Sequence, residues 1–333
     1  MHHFDSVILE RVERVKNDRV RPLIDRTVGR LEVAAWQVPG EPVPPAEAAK
    51  QPYCPVPLPH RWGAAWSTWW FRLTGEVPAG AAGRRLRLSV DLGFADAWPG
   101  NQCEGLLFDA GLRVLKVVNS RNRSTVIAER AEAGTPLEFL VEAAANPDLF
   151  ANGCKPTELG DHLTAPRDAL YELRSAELQI RDEQLWGLFH DLDVAWDLAR
   201  HLPERGTRRA VIVKGLERAL DALDLHDIPG SAARARAALA PALAAPAVAS
   251  ALNVTAIGHA HIDSAWLWPV RETVRKVART FSNVVALADE YPDFRFTATS
   301  AQQYAWLQEH HPEVFARVRA AVEAGQWFPS GGM

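Results

Sequence analysis

Cysteine is scarce in this sequence, with three residues (Cys54, Cys103 and Cys154) among 333. That number is small and odd, which excludes a disulfide framework, and the C-x-x-C spacing of a zinc ribbon does not occur. A chain with so few cysteines is typical of a reducing compartment. We therefore expect a cytoplasmic protein.

Long apolar runs and basic tracts are also missing. The stretch 237–258 is uncharged over about the length that spans a bilayer, but it is mostly alanine and contains Pro241 and Pro246, which break helices. The 37 lysines and arginines are outnumbered by 41 aspartates and glutamates, for a net charge of −4. No cluster of them forms a basic patch of the kind that attracts nucleic acid. We expect neither a membrane nor a nucleic-acid partner.

The remaining composition is that of a globular protein with several folding units. Hydrophobic residues make up 47% and charged residues 23% of the chain, which allows a sizeable core, and 333 residues exceed one average domain. Helical spacing over 6–33 and eight prolines between Pro39 and Pro59 predict an N-terminal helical arm and a Pro-rich segment over 1–59.

A β-domain is predicted over 60–160. Short apolar or alternating segments recur about every ten residues, separated by Gly, Asn and Pro, which is typical of an antiparallel sandwich. These segments are 66–73, 84–92, 106–108, 113–117, 124–127 and 137–142. We expect a jelly-roll-like antiparallel β-sandwich.

Helical and then alternating strand and helix patterns fill the rest of the chain. Helical spacing predicts a helical connector over 165–250. Within 251–333, the predicted strands are 254–258, 294–299 and 327–328, and the predicted helices are 271–291 and 302–325. This βαβα order favours a parallel sheet, open or closed into a barrel. The fold class is therefore multi-domain α+β, with an α/β segment at its end.

Three polar side chains with metal-ligand chemistry follow the first strand of the α/β segment. His259, His261 and Asp263 alternate directly after the apolar run 254–258, and residues two apart on extended backbone point to the same side. Imidazole nitrogen and carboxylate oxygen are ligands of catalytic Zn²⁺. Chemistry in α/β folds gathers at the carboxyl ends of strands. The sequence therefore predicts a metal site in which all three side chains face one crevice.

Two tryptophans lie just beyond these residues. An indole at the mouth of a polar crevice is a suitable platform for the apolar face of a sugar ring. Trp266 is close enough to serve as that platform, whereas Trp268, next to Pro269, is expected to pack against the following helix.

The motif Gly258-His-Ala-His-Ile-Asp-Ser-Ala-Trp-Leu-Trp-Pro269 resembles the opening motif of the glycoside hydrolase family 38 α-mannosidases, in their cytosolic and bacterial branch. The match continues through Glu272-Thr-Val-Arg-Lys276, Ser300-Ala-Gln-Gln-Tyr304 and Gly325-Gln-Trp-Phe-Pro-Ser-Gly-Gly332. The region upstream is similar to the same family in a more diffuse way.

This resemblance implies a retaining α-mannosidase that hydrolyses terminal α-mannosides of oligosaccharides in oligosaccharide catabolism. It implies one Zn²⁺, replaceable by Co²⁺, in a seven-stranded α/β barrel of which 251–333 is the first part. In the family's pattern the metal ligands correspond to His261 and Asp263, and the sugar-stacking residue to Trp266. His259 would then support the ligands without binding the metal.

The resemblance also implies that the catalytic residues lie elsewhere. The nucleophile, the general acid and a further zinc-binding histidine of the family are expected after Met333, so this chain is expected to supply no catalytic residue and to be inactive alone. A barrel portion without its closing strands would expose a sheet edge. We therefore also expect that the chain can form homo-oligomers.

Two other classes of function fit parts of the sequence. A metal-dependent amidohydrolase would use His259 and His261 as a pair of ligands and leave Asp263 off the metal. A non-catalytic carbohydrate-binding module would present exposed aromatic residues of the β-domain to the sugar. Its candidates are Trp62, Trp66, Trp69 and Trp98.

Overall fold

The computed structural model describes residues 2–95, 102–149, 158–161, 163–247 and 250–331. The chain divides into two compact units. The first unit comprises Met1–Thr27 and Gln179–Asn253, and the second comprises Val28–Leu178 and Val254–Met333.

The described residues form the following helices and strands. The helices are α1 (His2–Arg14), α2 (Arg21–Ile24), α3 (Pro45–Ala48), α4 (Glu183–His201), α5 (Thr207–Ala222), α6 (Ile228–Leu243), α7 (Val270–Glu290), α8 (Ala301–His310) and α9 (Pro312–Glu323), with a π-helical turn (Val15–Val20) between α1 and α2. The strands are β1 (Asp25–Arg30), β2 (Glu32–Gln37), β3 (Cys54–Pro55), β4 (His60–Trp62), β5 (Thr68–Glu76), β6 (Leu86–Asp91), β7 (Glu104–Asp109), β8 (Val114–Val118), β9 (Ser124–Ala128), β10 (Pro136–Ala144), β11 (Tyr171–Leu173), β12 (Ser175–Arg181), β13 (Gly258–His259), β14 (Phe296–Ala298) and β15 (Trp327–Pro329).

The first unit is helical. Its buried core combines apolar residues of α1, α4, α5 and α6, among them Val12, Leu188, Leu216 and Leu239. Asp182 caps the start of α4, because its side chain accepts hydrogen bonds from the backbone N–H groups of Gln184 and Leu185. These donors have no partner within the helix, so the cap stabilises its first turn. None of the helices in the described residues is long and apolar enough to cross a membrane.

The second unit contains the sandwich and the α/β segment. One sheet has the order β3-β2-β5-β10-β7-β8 and another has the order β1-β12-β6-β9. The longest pairing joins β5 and β10, antiparallel, from Pro136 opposite Glu76 to Ala144 opposite Thr68. This arrangement confirms the mixed α and β content and the antiparallel sheets that the sequence predicts.

The α/β segment carries a small parallel sheet with the order β13-β14-β15. The helix α7 connects β13 to β14, and α8 and α9 connect β14 to β15. One core cluster joins this segment to the sandwich, because Trp70 and Phe108 of the sandwich belong to the same buried group as Phe281 and Trp327. The βαβ order predicted from the sequence is present.

Three predicted elements differ from the structure. The helix predicted over 6–33 ends at Ile24, and β1 and β2 follow, because β2 pairs with β5 along six positions from Glu32 to Gln37. The helical connector predicted from 165 has its first α-helix only at Glu183, after the strands β11 and β12. Sheet pairing with distant strands overrides local helical spacing in both places. The sheets therefore extend beyond the predicted limits 60–160 on both sides.

The third difference concerns the strand predicted over 254–258, of which only the last residue, Gly258, lies in β13. Only Gly258 and His259 pair with β14, and the apolar side chains before them face solvent, with Val254 85% exposed. The prediction of a buried strand here is wrong for the described residues. The strand β13 itself is an edge strand of its sheet.

Candidate metal and sugar site

The candidate site is the segment Ala260–Pro269, called here the ligand loop, which joins the end of β13 to the start of α7. It lies at the carboxyl end of a parallel strand, where α/β folds place their chemistry. The backbone of the ligand loop forms neither helix nor strand. Its shape is therefore set by side-chain contacts rather than by a backbone ladder.

His261 and Asp263 are in direct contact. The Nε2 atom of His261 lies 3.0 Å from Oδ1 of Asp263, and the two side chains are 79% and 34% exposed. Two atoms bound to one Zn²⁺ at about 2.0–2.1 Å with a tetrahedral angle would be roughly 3.3 Å apart. The spacing, the nitrogen–oxygen donor set and the exposure fit two ligands of one metal ion with open positions.

His259 does not join this pair. The alternation that would align His259, His261 and Asp263 requires extended backbone, and the strand ends at His259. Among the described residues, no group of three or more His, Cys, Asp and Glu side chains is arranged to hold a metal ion. The three-residue crevice expected from the alternation is therefore not formed.

The two tryptophans of the ligand loop have different surroundings. Trp266 is 47% exposed, which leaves part of its indole available to a ligand. Trp268 is partly buried, and its Nε1 donates a hydrogen bond to Oγ1 of Thr273 at 3.0 Å. Trp268 thus packs against the following helix, as its position beside Pro269 predicts.

The sandwich tryptophans offer less to a sugar. Trp62 is fully buried and donates from Nε1 to the carbonyl of Leu92 at 2.9 Å, so it belongs to the core. Trp66 and Trp69 are partly buried, and Trp69 stacks on Phe71. Trp98 lies outside the described residues. Trp62 is therefore excluded as an exposed platform for a sugar ring on the sandwich.

A second group of ionisable residues, absent from the predicted site, lies where α7 meets the sandwich. We call it the ion cluster: Glu104, Glu142, Glu272, Arg275, Lys276 and Arg279. Arg279 Nη1 lies 3.2 Å from Glu272 and 3.5 Å from Glu104, Lys276 Nζ lies 2.7 Å from Glu104, and Arg275 Nη2 lies 3.1 Å from Glu142. Three carboxylates thus face three cations.

Charge compensation governs the protonation of the ion cluster. Burial alone would raise the pKa of Glu272, but the guanidinium groups of Arg275 and Arg279 outweigh it and lower that pKa to about 2. Burial likewise works against the charge of Arg279, and the carboxylates of Glu272, Glu104 and Glu142 raise its pKa above the usual value. In the sequence, Glu272, Arg275 and Arg279 are spaced at i, i+3 and i+7, which places them on one face of the helix. Such a charged face is usually exposed to solvent, so the spacing alone does not predict a buried cluster.

Comparison with protein families places both parts of the second unit in one class of protein. Residues 28–179 match the family described as "Alpha-mannosidase, jelly roll domain". Residues 251–333 match "Glycosyl hydrolases family 38 N-terminal domain". These two matches together cover most of the chain and support the assignment to glycosyl hydrolase family 38 that its motifs indicate.

Curated relatives agree with this assignment. The chain is 25% identical over 296 residues to "Alpha-mannosidase G" of Dictyostelium discoideum, covering 86% of this chain and 25% of the relative. It is 29% identical to "Alpha-mannosidase 2C1" of Mus musculus (88% and 27% covered) and 27% identical to "Alpha-mannosidase" of Saccharomyces cerevisiae (81% and 25% covered). The chain spans about a quarter of the length of these relatives. They are glycoside hydrolases by name, and this family assignment does not support the amidohydrolase alternative.

Proposed function

We propose that this chain carries the metal-binding and sugar-stacking part of a retaining exo-α-mannosidase that acts on terminal α-mannosides of oligosaccharides. The observation that supports it most is the contact between His261 and Asp263 at 3.0 Å, at the carboxyl end of β13, within the segment that matches family 38. The seven-stranded barrel of the whole domain is part of the same proposal.

The roles of the chain's own residues follow from their chemistry. His261 and Asp263 would hold one Zn²⁺ through an imidazole nitrogen and a carboxylate oxygen, and His259, on the adjacent strand, would support them without binding the metal. When bound, the metal supplies positive charge that can hold two adjacent mannose hydroxyl groups. Trp266 would present its exposed ring to the sugar and fix the orientation of the glycosidic bond.

We assign no nucleophile and no general acid to this chain. A retaining mechanism needs two carboxyl groups about 5–5.5 Å apart on either side of the scissile bond, and Asp263 is committed here to the metal. The ion cluster is not a substitute, because each of its carboxylates faces a cation at 3.5 Å or less. The chain alone is therefore expected to bind but not to hydrolyse a mannoside.

The metal proposal is tested by titrating the chain with Zn²⁺ and, separately, Co²⁺ while the side-chain NMR signals of the histidines are followed. We expect weak binding that perturbs His261 strongly, because two protein ligands leave a four-coordinate site half open. His261→Ala should abolish it and His259→Ala should not. Binding that depends on His259 and survives Asp263→Asn would refute the ligand assignment.

The sugar role is tested with Trp266. Quenching or shift of tryptophan fluorescence by mannose, in the presence of Zn²⁺, should disappear in Trp266→Ala and persist in Trp69→Phe. Binding that is lost in Trp69→Phe and kept in Trp266→Ala would favour the alternative of a carbohydrate-binding sandwich. For the location we propose the cytoplasm, where the buried thiol of Cys103 would stay reduced.

A further inference from the structure

We propose that Gln303 and Thr273 are positioning residues that hold the ligand loop in the shape in which His261 and Asp263 meet. The proposal rests on the proposed function, since it concerns the same two ligands. It assigns a role to two side chains outside the ligand loop, on two different helices.

Gln303 holds the backbone on one side of Asp263 and a side chain on the other. It lies in the first turn of α8 and is only 5% exposed. Its Nε2 group donates to the carbonyl of Ile262 at 2.9 Å and to Oγ of Ser264 at 3.2 Å. One amide group thus contacts both neighbours of Asp263. The carbonyl that it holds belongs to the residue between the two candidate ligands.

The backbone before α8 is strained in a way that supports this contact. Ser300, which precedes α8, has φ 72° and ψ 93°, a region that non-glycine residues rarely adopt. Such strain persists only where the surrounding structure enforces it. The carbonyl of Ser300 accepts the backbone N–H of Gln303 at 3.0 Å, so this turn is linked directly to the residue that contacts the ligand loop.

Thr273 connects the two halves of the ligand loop. It is fully buried in the first turn of α7, and its Oγ1 accepts the indole N–H of Trp268 at 3.0 Å. The same hydroxyl lies 3.3 Å from the carbonyl of Ser264 and 3.5 Å from that of Asp263. Its single proton can serve one of these carbonyls at a time, and the closer one belongs to Ser264.

Together the two side chains replace the ladder that the ligand loop lacks. Gln303 and Thr273 contact residues 262–264 from α8 and α7, and Thr273 also anchors Trp268. Partners of this kind, which orient metal ligands without binding the metal, typically change metal affinity by about 10–100-fold when they are removed. The exposed imidazole of His261 has no other polar contact described than Asp263. Asp263 lies between Ile262 and Ser264, which Gln303 and Thr273 contact. Its position relative to His261 therefore depends on these two side chains.

The experiment compares isosteric and conservative variants of the intact chain. Thr273→Val keeps the volume and removes the hydroxyl, whereas Thr273→Ser keeps the hydroxyl. Gln303→Met removes the donor, and the exposed neighbour change Gln302→Met is its control. Ser264→Ala, at a partly exposed position, removes one partner of Gln303 from the loop side. It provides a second variant should a buried one fail to fold.

Two readouts are measured on each variant. The first is amide hydrogen exchange of residues 262–267 without metal, compared with the exchange of α7, which reports global stability. The second is the affinity for Zn²⁺ alone, from the His261 signal. We expect Thr273→Val and Gln303→Met to speed loop exchange by roughly tenfold more than they speed that of α7, and to weaken Zn²⁺ binding by about tenfold. Ser264→Ala should show a smaller change of the same sign.

Three results would overturn the proposal. They are unchanged loop exchange in Thr273→Val and Gln303→Met, equal effects of Thr273→Ser and Thr273→Val, and equal effects of Gln302→Met and Gln303→Met. A wild-type chain that binds no Zn²⁺ at His261 would overturn the proposed function instead. The exchange measurement, which uses no metal, would then still decide whether Gln303 and Thr273 hold the loop.

Discussion

The ion cluster and the ligand loop lie in the same compact unit. They differ in the solvent exposure of their ionisable side chains. In the ion cluster, Arg279 is 1% exposed and its carboxylate partners Glu104 and Glu272 are 3% and 6% exposed. In the ligand loop, His261 is 79% exposed and has one carboxylate beside it. Both regions contain paired ionisable groups, but only the second presents them to solvent.

This difference in exposure indicates that the ion cluster stabilises the fold, whereas the ligand loop is the candidate site for binding. A strongly perturbed pKa in a folded protein is often a sign of a functional site, and here the depressed pKa of Glu272 belongs to the ion cluster. Its cause is the pair of guanidinium groups of Arg275 and Arg279 on the same helix, because a buried charge needs partners of the opposite sign. The ligand loop has the open geometry that a metal and a substrate require.

The largest effect is expected from Arg279→Met, which keeps much of the side-chain volume and removes the central cation. Glu104 and Glu272 would be left buried with fewer partners, which typically costs 3–5 kcal/mol of unfolding free energy. Urea unfolding at neutral pH measures the loss. The control is Arg317→Met, which removes an exposed pair with Asp289 at 2.8 Å and should cost less than about 1 kcal/mol. Equal losses in the two variants would show that the ion cluster is no more structural than a surface pair.

Acid should weaken the chain through Glu272. The pKa of its carboxyl is about 2 in the folded chain, below the ordinary glutamate value of 4.5. Its stabilising contribution is therefore fully present above about pH 4.5 and is lost as pH falls towards 2. The difference corresponds to about 3 kcal/mol. Unfolding free energies between pH 3 and pH 7 should therefore fall more steeply with acid in the wild type than in Glu272→Gln. Parallel curves would remove Glu272 as the source.

Asp263→Asn should affect binding and leave stability alone. It keeps the size of the side chain and removes the charge that would help to hold Zn²⁺, so affinity should fall roughly tenfold, equivalent to about 1.4 kcal/mol. The unfolding free energy should change by less than about 0.5 kcal/mol, because the residue is partly exposed and outside the core. A large loss of stability in Asp263→Asn with unchanged Zn²⁺ affinity would show that Asp263 stabilises the fold and does not bind the metal.

The smallest effect is expected at the exposed run before β13. Val254 is 85% exposed and lies four residues before β13, the edge strand of the parallel sheet, and exposed sheet edges favour self-association. If the chain forms homo-oligomers through this edge, Val254→Lys should weaken them about tenfold, and Val322→Lys on α9 should not. Sedimentation equilibrium measures both. A wild type that stays monomeric at high concentration would contradict the association.

Much of the fold could be predicted from local patterns. The alternating segment at 84–92 contains β6, and the amphipathic segment predicted over 271–291 is α7, found at Val270–Glu290. The segments 25–37 and 171–181 could not be assigned in the same way, because their strands exist through pairing with β5 and β4, among others. Local spacing carries no information about such partners.

Some features of the candidate site could likewise be predicted from the sequence, and others could not. The identities of His261, Asp263 and Trp266, and the family to which their motif belongs, can be read from consecutive residues, because the chemistry of a ligand or of an indole is carried by the side chain itself. The burial of Glu272 and Arg279 and the reach of Gln303 and Thr273 to the ligand loop depend on where distant segments meet. Burial and hydrogen bonding between residues far apart in the chain are settled by packing, so only the tertiary structure decided them.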